Sequence, residues 1–187
     1  MSLNLTKGQG LSLTKNVLPA NKALVGLGWN DCGMDLDVIA FILDNSSGKP
    51  VCKSEENFIF FNNKNPAHGA ISHNGDNRTG AGEGDDESLN IDFTKLSALS
   101  GNDEVAIFVI VYSPDNGTFD KLSEAFVRIV DTNGKEICRY DMNTSFPGMC
   151  ALQVGSFSKE PSGDWKFSAI GAAFNKRIGD IAGAYGF

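Results

Sequence analysis

The chain is 187 residues long, a length that fits one domain. Its 16 basic and 23 acidic residues give a net charge of -7, and no basic cluster larger than Lys176–Arg177 interrupts that balance, which argues against nucleic-acid binding and against direct docking on anionic lipid. Hydrophobic residues make up 41% and glycine occurs 21 times, a pairing that suits short strands joined by tight turns better than a helical bundle. Along the chain, Leu3, Leu5, Leu11 and Leu13 alternate with polar partners. Strand-like runs follow at Lys22 to Trp29, Leu36 to Leu43, Asn57 to Phe61 and Ser88 to Phe93. Glu104 to Tyr112 is the most hydrophobic stretch and is expected to be a central strand; Ala125 to Val130, Glu136 to Tyr140, Cys150 to Phe157 and Trp165 to Phe174 complete the set. Turn signals stand at Asp44 to Gly48, Asp115–Asn116–Gly117 and Thr132–Asn133–Gly134, the last reading as a hairpin. Thr94 to Leu99 can form one helical turn, and Ile178, Ile181, Ala182 and Tyr185 fall at helical spacing within a C-terminal helix.

The pattern predicts a mainly β protein: a two-sheet antiparallel β-sandwich with short helices, in a single domain spanning 1–187. The N-terminus has no continuous apolar stretch of the kind a signal peptide needs, and no 18-residue apolar run exists, so the expected location is cytoplasmic. Cys32, Cys52, Cys138 and Cys150 form no CxxC pair and read as reduced thiols in or near the core.

The chemistry concentrates in residues 75–87, GDNRTGAGEGDDE. Asp76, Glu83, Asp85, Asp86 and Glu87 are interleaved with Gly75, Gly80, Gly82 and Gly84, and Asn77 and Thr79 add neutral oxygens. Calcium takes six to eight oxygen ligands, and glycines let a backbone curl around one centre. Carboxylates crowded together repel by several kcal/mol, on the order of 4 kcal/mol per pair at 4 Å and an effective dielectric of 20, unless a cation neutralises them. The spacing is not that of an EF-hand, because Arg78 and Gly80 occupy ligand positions and Ala81 replaces the turn glycine. It is not a phosphate loop either, since no GK[ST] follows. Charge runs are usually just solvated, so an empty acidic turn is the plain alternative.

Asp35 and Asp37 shift that balance, because residues two apart on a strand project from one face. Asn62 and Asn63, after the NFIFF run, are either further oxygen ligands or ordinary turn residues. No GxSxG occurs, His68 and His73 read as loop or surface side chains, and a thiol at Cys32 beside acidic groups is a poor nucleophile. A metal-dependent hydrolase using the same acidic residues is the best enzymatic alternative, and a metal-free sandwich scaffold the other.

Several segments together resemble the TerD family of bacterial tellurite-resistance and stress proteins. They are LTKGQGLSLTK near the N-terminus, VGLGW at Val25–Trp29, DLD at Asp35–Asp37, FIFFNN at Phe58–Asn63, HNGDNRTGAGEGDDE at His73–Glu87, FVRIVD at Phe126–Asp131, RYD at Arg139–Asp141 and WKFSAIG at Trp165–Gly171. The resemblance implies a two-sheet sandwich holding one or two Ca2+ ions, no mapped catalytic activity, and work with other proteins of a stress-response complex, with membrane association only indirect. It implies Asp35, Asp37, Asp76, Asn77, Asp85, Asp86 and Glu87 as metal ligands, with Thr79, Glu83 and Asn62 as lesser candidates. The chain departs from the family in its short loop between Trp29 and Asp35, in Tyr112–Leu122, and in Phe146–Phe157.

Overall fold

The computed structural model describes residues 2–13, 17–30, 32–112, 117–142 and 146–187. Among the described residues, twelve strands form two six-stranded sheets. The first sheet runs β1 (Leu3–Asn4), β10 (Glu136–Asp141), β9 (Ala125–Val130), β3 (Lys22–Trp29), β7 (Glu87–Asp92) and β6 (Ile71–Asn74). The second runs β2 (Gly10–Leu13), β12 (Trp165–Phe174), β11 (Ala151–Lys159), β8 (Glu104–Val111), β4 (Leu36–Leu43) and β5 (Phe58–Ile59). All strand pairs are antiparallel except β1 with β10. As its composition predicts, β8 is internal, paired with β11 and β4.

Alternation places one set of apolar side chains between the sheets. From β3, Val25 and Leu27 point inward, from β7 Leu89 and Ile91, and from β4 Val38, Ala40 and Ile42, all within one core. The opposite face of β4 is also apolar, and Ile39, Phe41 and Leu43 bury themselves against Ile181 and Ala182. That second cluster explains why β4 reads as a continuous apolar run: both of its faces are covered, one by the facing sheet and one by helix α2 (Ile178–Ala184). The helical spacing noted at Ile178, Ile181, Ala182 and Tyr185 is therefore the docking face of α2. Helix α1 (Phe93–Ala98) begins where Asp92 caps it, accepting from the Thr94 and Lys95 amides.

The Asn133–Gly134 turn joins β9 to β10, with Gly134 at φ 79° and Asp131 accepting from the Asn133 and Lys135 amides. The Asp115–Asn116–Gly117 turn lies largely outside the described residues. Strand β6 has no counterpart in the apolar periodicity; Ile71 is the single aliphatic residue in ISHN, and His73 fills the second inward position. Cys52, Cys138 and Cys150 are buried free thiols and Cys32 is half-buried. No helix among the described residues is long and apolar enough to cross a membrane.

Candidate metal centre

Strand β5 pairs with β4 only at Ala40 and Phe41. Beyond that point the outer edge of β4 has no strand beside it, and the backbone groups of Val38 need other partners. Two side chains from the opposite sheet supply them. Glu87, the first residue of β7, accepts the Val38 amide through Oε2 at 2.9 Å, and His73 on β6 places Nε2 3.1 Å from the Val38 carbonyl oxygen. A carbonyl only accepts, so Nε2 carries the proton of that imidazole. The same Nε2 lies 3.5 Å from Glu87 Oε2. Glu87 and His73 thus stand where a longer β5 would have paired, and they tie the two sheets together at one end.

This arrangement leaves carboxylate oxygens over. One oxygen each of Asp37, Asp76 and Glu87 lies within 4.8 Å of the others. Asp37 is 2% exposed and Glu87 1%, while Asp76, in the loop after β6, is exposed. Asp35 precedes β4, is held by the Tyr112 amide donating to its backbone carbonyl, and lines the same small cavity of about 240 Å³ with Asp37, Phe61, Asp76, Arg78 and Tyr112. Asp35 Oδ1, Asp37 Oδ2 and Glu87 Oε1 are buried and have no hydrogen-bond partner. Burial, then Glu87, Asp35 and Asp76, push the Asp37 carboxyl up from 3.8 to about 8, with Arg78 opposing. Asp35 is raised as well, by burial first and then by Glu87 and Asp76. Arg78 is the cation at the mouth, 3.7 Å from Asp76 and with its side chain 75% exposed. Buried oxygens without donors, an all-oxygen ligand set and several mutually repelling carboxylates fit a hard divalent cation.

The other acidic residues of the loop face elsewhere. Asp85 makes a two-pronged pair with Arg128 of β9, at 2.8 and 3.1 Å. Its carboxylate lies over Gly26, where any Cβ would overlap it. The hydrogen bonds that Arg128 donates to Asp85 come first among the influences that hold its guanidinium above its ordinary pKa. Asp86 accepts the Trp29 amide at 3.0 Å and the Asn77 carboxamide at 2.8 Å, and its own amide donates to Leu27. Asn77 Oδ1 accepts from the Thr79 and Gly80 amides, and Thr79 Oγ1 accepts from Ala81. Gly80, at φ 66°, packs so closely on the Trp29 indole that a side chain has no room. Glu83 sits on the exposed crest of the loop, and Asn62 lines a different groove with Glu55, Phe58 and Phe60. The structure brings together Asp35, Asp37, Asp76 and Glu87 from the predicted set; Asp85, Asp86, Asn77 and Thr79 fold the loop that carries Asp76 and Glu87. His73, expected in a loop or at the surface, is instead 3% exposed and braces the centre. Its two-residue offset from Ile71 was the available signal.

A two-sheet sandwich with a carboxylate centre at the seam of its sheets, closed by a glycine–acid loop, is the class of protein defined here. The chain belongs to the TerD family: the TerD domain matches residues 1–185. It is 39% identical to general stress protein 16U of Bacillus subtilis, covering 100% of this chain and 98% of that protein. It is 37% identical to a tellurium resistance protein TerD from Alcaligenes, with the same coverage of 100% and 98%. A crystal structure of a TerD homologue from Streptomyces coelicolor superposes with a TM-score of 0.69 at 23% identity, covering 87% of this chain and 95% of that one, and shows the shared fold.

Proposed function

We propose that this chain is a calcium-binding, non-enzymatic interaction module of a cytoplasmic response to tellurium or other chemical stress. The stress role rests on relatives named for stress response and tellurium resistance along the full chain. The calcium reading rests on one observation: three carboxylates from separate elements converge within 4.8 Å while buried oxygens of Asp35, Asp37 and Glu87 lack any donor. Two like charges at that separation repel by roughly 3 kcal/mol at an effective dielectric of 20. A divalent cation supplies the compensating positive charge. Asp37, Asp76 and Glu87 would hold it, with Asp35 beside them; His73 and the Val38 amide hold Glu87 in place through Oε2 and leave Oε1 for the ion.

Binding at this seam joins β4 of one sheet to β7 of the other and fixes the loop between β6 and β7. Neutralising the acidic face and ordering its loop changes the surface offered to other proteins of a stress-response complex. Isothermal titration of chelator-treated protein with calcium, and separately with magnesium, tests the reading. Calcium is expected to release heat to saturation at one or two equivalents and to raise the melting temperature by several degrees at 100 times the dissociation constant. A flat titration with an unchanged melting curve rejects it.

A further inference from the structure

A second groove lies away from the acidic centre, where the chain turns through Glu55–Asn57 into β5. It has a volume of about 480 Å³ and is lined by Glu55, Glu56, Phe58, Phe60, Asn62, Asn63 and Phe187. Its aromatic wall is continuous. Phe58 is sandwiched nearly parallel between Phe41, buried behind it, and the partly exposed Phe60, with centroids 4.3 and 4.4 Å apart, so Phe60 at the end of the stack presents the ring to the groove, and Phe187 leans on Phe58 at 5.8 Å. The wall is rigid. Asn63 donates through Nδ2 to the carbonyls of Glu55 and Phe58, and its amide donates to Phe60, so the turn carrying the rings is pinned at both ends. The other wall is two exposed glutamates, and no lysine or arginine is among the described residues lining the groove.

Aromatic faces beside carboxylates are what a guanidinium ion prefers: the ring attracts the cation over its face, and the carboxylate accepts its N–H groups. The protein already makes this combination within itself, with Arg128 and Arg139 both over the Phe126 ring and both paired with carboxylates. Arg139 sits 3.6 Å over the Phe126 ring while its Nε donates to Asp141 at 2.7 Å. The groove at Glu55–Asn63 repeats the rings and the acids and lacks the cation. From this juxtaposition we infer that the Glu55/Glu56–Phe58/Phe60 groove is a docking site for an arginine side chain presented by a partner protein. The preformed wall favours an extended segment with one exposed arginine over a large interface, because little ordering is left to do on this side. The site shares none of its lining residues with the cavity at Asp35, Asp37 and Asp76, so it stands whether or not calcium binds there.

The test is a titration of the 15N-labelled full chain with the peptide acetyl-Gly-Arg-Gly-amide and with its citrulline counterpart, which keeps the shape and removes the charge. The arginine peptide is expected to shift the amides of residues 55–63 and 187, the citrulline peptide to shift them far less. Glu55→Gln with Glu56→Gln, and separately Phe60→Leu, should each weaken the arginine response at least fivefold while amides elsewhere stay in place. Equal responses to both peptides would mean an apolar slot and overturn the assignment. So would shifts centred on Asp35, Asp37 and Asp76, which would place the cation in the acidic centre. Concentration-dependent shifts of residues 55–63 without peptide would give the groove to a second copy of the chain and equally overturn it.

Discussion

Within one thirteen-residue loop, carboxylates of the same kind do opposite work. Asp85 and Asp86 are fully partnered, the first by Arg128 and the second by the Trp29 amide and Asn77. Asp76 and Glu87, at the two ends of the same loop, converge with Asp37 around oxygens that the protein leaves without donors. The difference is not in the residue types but in what lies opposite them. Asp85 falls over Gly26 and meets an arginine two strands from β7; Glu87 falls on the inward face of β7, at the level where β4 has lost its neighbour β5. A carboxylate becomes a building element where the fold provides donors for both of its oxygens, and a candidate cation ligand where an oxygen is left facing other carboxylates.

The contrast can be broken most directly by exchanging one carboxylate of each kind. Asp37→Asn should weaken calcium binding at least 100-fold, about 2.7 kcal/mol, whereas Asp85→Asn should leave it within about threefold. Calorimetric titration measures both, and comparable losses would erase the distinction. Without metal, the same two substitutions should move stability in opposite directions. Asp37→Asn removes a buried charge on which burial and neighbouring acids outweigh the opposing Arg78, and should stabilise the chelator-treated protein by about 1–3 kcal/mol at pH 8. Asp85→Asn halves the acceptor strength opposite Arg128 and should destabilise it by about 1–2 kcal/mol. Urea unfolding at fixed pH reads both signs.

A pH series sharpens the same division. The folded protein holds a proton on Asp37 up to about 8, while the unfolded chain releases it near 3.8. This group's contribution is therefore present below about pH 4 and lost as pH rises through about 8, so the metal-free protein should be more stable at pH 5 than at pH 8. Asp35 and Asp86, also raised, act in the same direction. Saturating calcium should remove or reverse the slope, and Asp37→Asn should flatten it; a slope unchanged by either would place the titration elsewhere. The smallest effect is expected at Gly26→Ala, whose methyl must push the Asp85 side chain off Arg128, costing about 1 kcal/mol in thermal unfolding and leaving calcium affinity untouched.

The fold was largely legible because its strands obey alternation or, at β4 and β8, are buried on both faces. Strand β6 escaped because a histidine and an asparagine occupy positions where periodicity looks for aliphatic residues. The candidate site was legible by residue type and loop, and illegible by role. That Asp85 folds the loop depends on Arg128, 43 positions further on, and on the absence of a Cβ at Gly26. That His73 is buried depends on β5 ending after two residues, a length no local pattern encodes.

The pairing order of the sheets has a consequence for synthesis. Strand β4, buried along its whole length, finds its long partner only in β8 at Glu104–Val111; β3 waits for β9 at Ala125–Val130, and β2 for β12 at Trp165–Phe174. A nascent chain leaving the ribosome carries these strands for seconds before those partners emerge, with β3 able to pair only with β7 and β4 only with the short β5 in the meantime. Neither sheet can be completed until the strands of the carboxyl-terminal half have left the ribosome.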